Sequence, residues 1–111
     1  MGFVRVCSLD DVWEGEFDAF EVEGRKVLVA ILPGGQVCAT QAECPHQQGE
    51  LVDGELNGTV LTCPVHLWEF DLNTYKGVNP THAQLACYPV KIEGDDIYVD
   101  VEGDSPKFAH S

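Results

Sequence analysis

One residue separates Cys44 from His46, two separate Cys63 from His66, and residues 47–62 lie between the pairs. No other feature constrains the chain as strongly. A structural zinc site of comparable size groups cysteine with cysteine on a knuckle and histidine with histidine on a helix. Here each arm is mixed. Mixed arms suit a two-iron, two-sulfide cluster in which two thiolates ligate one iron and two imidazoles the other, because two loops then each supply one ligand of each kind. Pro45 and Pro64 follow the two cysteines directly, fixing the backbone and removing a donor at the same relative point of both loops. Gly49 permits a tight return after the first arm.

Loops of this kind need stiff roots, and the surrounding sequence reads as strands. Phe3, Val4 and Val6 suggest a first strand, and Ser8-Leu9-Asp10-Asp11 a capped helical turn with Asp11 three residues after the Ser8 cap. Phe17 and Phe20 to Val22 suggest a second strand, Glu23-Gly24 a turn, and Val27 to Leu32 a third, buried strand. Pro33-Gly34-Gly35 breaks the chain before a fourth strand, Val37 to Thr40, which runs toward Cys44. Asp53-Gly54 and Asn57-Gly58 are turn signals, the latter favouring a two-residue hairpin. Thr59 to Thr62 then leads into the second ligand loop and Trp68 to Asp71 leaves it. Asn73 to Gly77 reads as another turn, and Val78-Asn79-Pro80 as the start of a flanking loop. Leu85 and Cys87, Val90 and Ile92, and Ile97, Val99 and Val101 keep the two-residue period of half-buried strands, with Gly94-Asp95 turning the last pair. No stretch keeps a helical period, and residues 102–111 read as a polar tail. The expected fold class is all-β.

The 111 residues allow one domain, 1–111, with no room for a separate catalytic domain. A formal net charge of −13 argues against nucleic acid and against an anionic membrane, since both require a basic face. Basic protein patches suit such a chain better. Of five cysteines, Cys7, Cys38 and Cys87 lack ligand spacing and read as small buried hydrophobes. No basic region followed by an apolar stretch opens the chain, and the longest apolar run, Val27 to Leu32, is too short to span a bilayer. The expectation is a reduced, cytoplasmic protein. His82, after the proline pair, and His110, in the tail, read as solvated.

Cys44-Pro45-His46-Gln47 together with Cys63-Pro64-Val65-His66-Leu67-Trp68 resembles the cluster motif of Rieske-type ferredoxins, and Gly77 through Pro80 to Leu85 resembles the proline loop beside it. The opening Cys7-Ser8-Leu9-Asp10-Asp11-Val12-Trp13, the Asn79-Pro80 pair, Gly94-Asp95-Asp96-Ile97-Tyr98-Val99 and the Ala109-His110-Ser111 ending are similar to the ferredoxin branch that serves bacterial toluene and related aromatic monooxygenases. The resemblance implies a Rieske fold, with a cluster-binding subdomain at about 43–82 inserted into an antiparallel sandwich or barrel. It implies one [2Fe-2S] cluster held by Cys44, His46, Cys63 and His66. It also implies a carrier, not an enzyme: electrons come from an NADH-dependent flavin and iron-sulfur reductase and go to a di-iron hydroxylase acting on toluene or a similar ring. The ferredoxin of a ring-hydroxylating dioxygenase is the nearest alternative; a zinc-stabilised interaction module is a different class, and a redox sensor has no support in a chain without a signalling partner.

With neutral imidazoles, two ferric ions, two sulfides and two thiolates sum to zero charge, so reduction is easier than for an all-cysteine cluster. Rieske proteins of quinol-oxidising complexes add a disulfide between the ligand loops; the matching positions here are Gly49 and Val65, so no such bridge forms. Those proteins also place a serine and a tyrosine hydroxyl near the sulfurs, where this chain has Trp68 and Phe70. Fewer hydrogen bonds to sulfur predict a potential near the low end of the Rieske range, about −150 to 0 mV. The imidazole nitrogens that do not bind iron would lie near solvent as an electron exit, with Gln47, Leu67, Trp68 and Pro80 as the docking surface and Gln48 and Glu50 on its rim. Trp68 reads equally well as a docking anchor or as packing beneath the cluster.

Overall fold

A computed structural model describes residues 2–43, 51–63, 67–79 and 83–104, and these form three antiparallel sheets. β2 (Phe17–Val22), β3 (Arg25–Ile31) and β4 (Val37–Gln41) make the middle sheet. After the exposed Arg25 and Lys26, β3 is apolar without interruption because it is covered on both faces. Its alternation divides two cores: Leu28 and Ala30, followed by Leu32, point one way with Cys38 and Ala42, while Val27, Val29 and Ile31 point the other way with Ala39. β2 continues the division, with Phe17 and Ala19 on the Leu28 side and Phe20 and Val22 on the Val27 side.

The Val27 face is closed by β1 (Val4–Ser8), β10 (Asp96–Val99) and β9 (Val90–Glu93), which pair in the order β1-β10-β9. Cys7, Ile97, Val99, Val101 and Tyr88 fill this core. A register shift between Arg5 and Cys7 turns Cys7 inward opposite Ile97, where strict alternation from Val4 and Val6 would have sent it outward. The Leu28 face is closed by β5 (Glu55–Asn57), β6 (Val60–Thr62), β7 (Glu69–Asp71) and β8 (Lys76–Asn79), a meander drawn wholly from residues 55–79. Leu61 and Phe70 oppose each other across β6 and β7 and are both fully buried.

Several local expectations change. One is met: Ser8 and Asp11 exchange the capping bonds, Ser8 N–H to Asp11 Oδ2 at 2.8 Å and Asp10 N–H to Ser8 Oγ at 3.2 Å, and a turn forms at residues 9–11, with Val12 buried after it. The β5–β6 hairpin turns on Gly58-Thr59, one residue later than Asn57-Gly58: Asn57 stays paired with Val60, and Gly58 takes a φ of 60°. Residues 76–79 form β8 instead of beginning the flanking loop, and residues 85–89 form no strand. Cys7 and Cys38 are buried as expected, but Cys87 is exposed. The reason is that Leu85, Ala86 and Tyr88 take the inward positions of that irregular segment. Among the described residues no helix is long and apolar enough to cross a membrane.

Candidate cluster site

Cys63 follows the last residue of β6 and is fully buried. Its backbone N–H donates to the Trp68 carbonyl at 2.7 Å, closing the loop that carries Pro64 to His66, and Leu67 makes the return at a φ of 56°. The approach to Cys63 requires a glycine: a Cβ at Gly54 would collide with the Thr62 carbonyl. Asp53-Gly54 is therefore more than a turn signal, since only glycine lets the 3-10 turn Leu51–Asp53 pass this close to β6.

Two further loops are rooted beside it. Leu51 N–H donates to the Ala42 carbonyl at 2.9 Å, joining the ends of the segment that carries Cys44 to Glu50. Gly77 N–H donates to the Ala83 carbonyl at 2.8 Å and Leu85 N–H to the Tyr75 carbonyl at 2.9 Å, joining the ends of the segment that carries Pro80 to His82. Ala42, Leu51, Cys63 and Ala83 are all buried members of one apolar cluster, together with Phe70, Leu72 and Leu85. The roots of three loops thus share a single packed floor.

Trp68 packs against that floor with its ring tilted 51° to Phe70 at a centroid separation of 6.5 Å. Leu67 is the residue that protrudes, 68 % exposed, and Val78 beside the β7–β8 register shift is exposed as well. An open cavity of about 240 Å³ lies between Leu67 and the end of the 3-10 turn, lined by Asp53, Gly54, Glu55, Thr62, Cys63 and Leu67. Below the floor, burial pushes the Cys38 thiol above its ordinary pKa although hydrogen bonds with Tyr75 and Gln36 pull the other way. Burial also holds the Tyr75 hydroxyl well above the usual tyrosine value. Both groups remain neutral at physiological pH and act as structure.

Of the residues singled out in the sequence, Cys63, Leu67 and Trp68 are described; Cys44, His46, Gln47, Gln48, Gly49, Glu50, Pro64, Val65, His66, Pro80, His82 and His110 lie outside the described residues. Among the described residues no three histidine, cysteine or acidic side chains converge as a metal site. Sequence reasoning missed Gln41, a fully buried amide at the end of β4 that bonds the Glu43 carbonyl and the Ala86 N–H. The available signal was an amide closing a strand of small and apolar residues.

The donor chemistry fits an iron-sulfur cluster. A thiol sealed from water at the root of a loop is a poor nucleophile and a costly free anion, but bound to iron its charge is compensated. Gly54 and the 3-10 turn leave open space on the loop side of Cys63, and the sequence puts two imidazoles and a second thiolate on the loops rooted there.

Comparison with known proteins agrees. The profile of the Rieske [2Fe-2S] domain matches residues 2–89. The chain is 38 % identical to the ferredoxin component of the alkene monooxygenase system of Xanthobacter autotrophicus, over 90 % of this chain and 82 % of that protein. It is 36 % identical to the ferredoxin component of biphenyl 2,3-dioxygenase from Rhodococcus jostii, over 93 % of this chain and 96 % of that protein. The solved ferredoxin of carbazole 1,9a-dioxygenase from Nocardioides aromaticivorans superposes with a TM-score of 0.80 at 30 % identity, over 89 % of this chain and 97 % of that one. This chain belongs to the Rieske family, whose domain binds a [2Fe-2S] cluster.

Proposed function

We propose that this chain is a single domain, residues 1–111, that carries single electrons within an oxygenase system, with Cys44, His46, Cys63 and His66 as cluster ligands in a subdomain spanning about 43–82. When bound, the cluster supplies a one-electron couple at two thiolate and two imidazole ligands. The observation that carries the reading is the shared floor beneath the three loop roots, with the Cys63 thiol sealed into it.

The chain's own residues would do three things. The buried floor excludes water from the thiolate side, so charge at the site is held by protein dipoles instead of solvent. Leu67 offers an exposed apolar contact, with Trp68 bracing the loop from below, and we assign Gln47 and Pro80 to docking as well. The carboxylates Asp53 and Glu55 beside Leu67 favour partners with basic patches and speed encounter at low salt.

The finer reading is a cytoplasmic ferredoxin between an NADH-dependent flavin and iron-sulfur reductase and a di-iron hydroxylase that oxygenates toluene or a related aromatic. The monooxygenase relative at 38 % identity supports it, as do the motif matches at both ends of the chain. The dioxygenase relative, at 36 % identity over nearly its whole length, supports the second reading, a ferredoxin of a ring-hydroxylating dioxygenase. Reconstitution with purified components separates them. NADH-driven turnover with a di-iron hydroxylase, and at least tenfold less with a mononuclear-iron dioxygenase, is the expected result; the reverse preference would replace the first reading with the second.

A further inference from the structure

We infer that Gln41 is a positioning residue that sets the departure of the first ligand loop; this rests on the cluster reading proposed above. Gln41 ends β4, and its side chain is buried. Its Nε2 donates to the Glu43 carbonyl at 2.9 Å, and its Oε1 accepts from the Ala86 N–H at 3.0 Å. Both ends of one buried amide are therefore committed to backbone groups.

Each partner stands at a decisive place. The Glu43 carbonyl belongs to the peptide unit that leads into Cys44, and that unit is planar. A donor on its oxygen restrains the torsion at which the ligand loop leaves the sheet. Ala86 lies just beyond the root of the third loop, one residue after Leu85, whose N–H is held by Tyr75. Gln41 thus ties the exit of the first loop to the return of the third, and does so from the Val27 side of the sheet, where Ala86 also packs. An amide in this position without partners would carry a desolvation cost that leucine or valine would not. Its neighbour Thr40 is a natural control: it is just as buried, and its hydroxyl finds no hydrogen-bond partner among the described residues.

The test compares the full-length, cluster-loaded protein with Gln41→Leu, Gln41→Met and Thr40→Val. Three quantities are read: the g-values of the reduced form by electron paramagnetic resonance, the midpoint potential, and the rate of iron loss to a chelator. Both Gln41 variants are expected to move the g-values and midpoint and to lose iron at least tenfold faster, and Gln41→Met to exchange the Ala86 amide hydrogen faster, while Thr40→Val leaves the signal unchanged. Gln41 variants with native signal and native iron retention would overturn the inference. So would equal shifts from Thr40→Val, or a chain that folds with neither Gln41 substitution, since the role would then not be confined to the loop. Absence of a Rieske-type signal from the unsubstituted protein would instead sink the cluster reading itself.

Discussion

The two faces of the middle sheet have different tasks. The Val27 face packs mainly aliphatic side chains, Val29, Ile31, Ile97, Val99 and Val101, against a sheet assembled from the two ends of the chain. The Leu28 face packs Phe70, Leu61 and Cys63 and takes up the roots of three loops. One core closes the fold; the other seats the loop roots, to which Gln41 adds a brace from the Val27 side. Because β3 contributes alternate residues to both, a fault on one side can be compared directly with a matched fault on the other.

The largest contrast is expected from Phe70→Ala. Emptying a fully buried ring from the floor should cost about 3–5 kcal/mol and lower iron and sulfide content, read by denaturant unfolding and metal analysis. Retention of full cluster content at that loss of stability would show that the floor does not support the loops. Ile97→Val removes one methylene from the opposite core. It should cost about 0.5–1.5 kcal/mol with unchanged spectroscopic features; a shifted signal would merge the two tasks.

A third contrast lies in alkaline behaviour. Burial pushes the Cys7 thiol up to about 11, against about 8.5 in an unfolded chain. The unfolded chain then releases its proton first, so stability is intact below about pH 8.5 and falls as pH rises toward 11. Cys7→Ala should flatten that decline, and an equally steep loss in the variant would remove Cys7 as its source. Alkylation near pH 8 should modify the exposed Cys87 in the folded state while Cys7 and Cys38 stay protected.

The smallest effect on stability should come from Leu67→Ala, within about 0.5 kcal/mol for so exposed a residue. Electron delivery to the oxygenase should nonetheless slow. Trp68→Ala should also slow it, but with a loss of stability, since Trp68 packs on the floor. Native transfer kinetics in Leu67→Ala would move the docking surface elsewhere.

Much of this architecture was legible in the residues. The uninterrupted run Val27 to Leu32 announced a buried strand, and Gly94-Asp95 announced the last hairpin, because both signals are local. The exposure of Cys87 was not legible: alternation fails where a segment is held by bonds such as Leu85 to Tyr75 instead of by a sheet. The β5–β6 turn moved by one residue because pairing of Asn57 with Val60 outweighed the local preference of Asn57-Gly58. At the site, the spacing of the proposed ligands Cys44, His46, Cys63 and His66 was plain in the sequence. The protrusion of Leu67 over Trp68 and the bracing by Gln41 depend on contacts between distant segments and left no periodic trace.

The most direct measurement is a redox titration of anaerobically purified protein followed by electron paramagnetic resonance of the reduced form. A Rieske-type signal with a midpoint of about −150 to 0 mV is the predicted result, consistent with mixed ligation and with a carrier fed from NADH. A Rieske signal only at high positive potential would contradict the reading of Trp68 and Phe70 and point toward quinol chemistry. A colourless protein with zinc, no labile sulfide and no signal would contradict the cluster altogether.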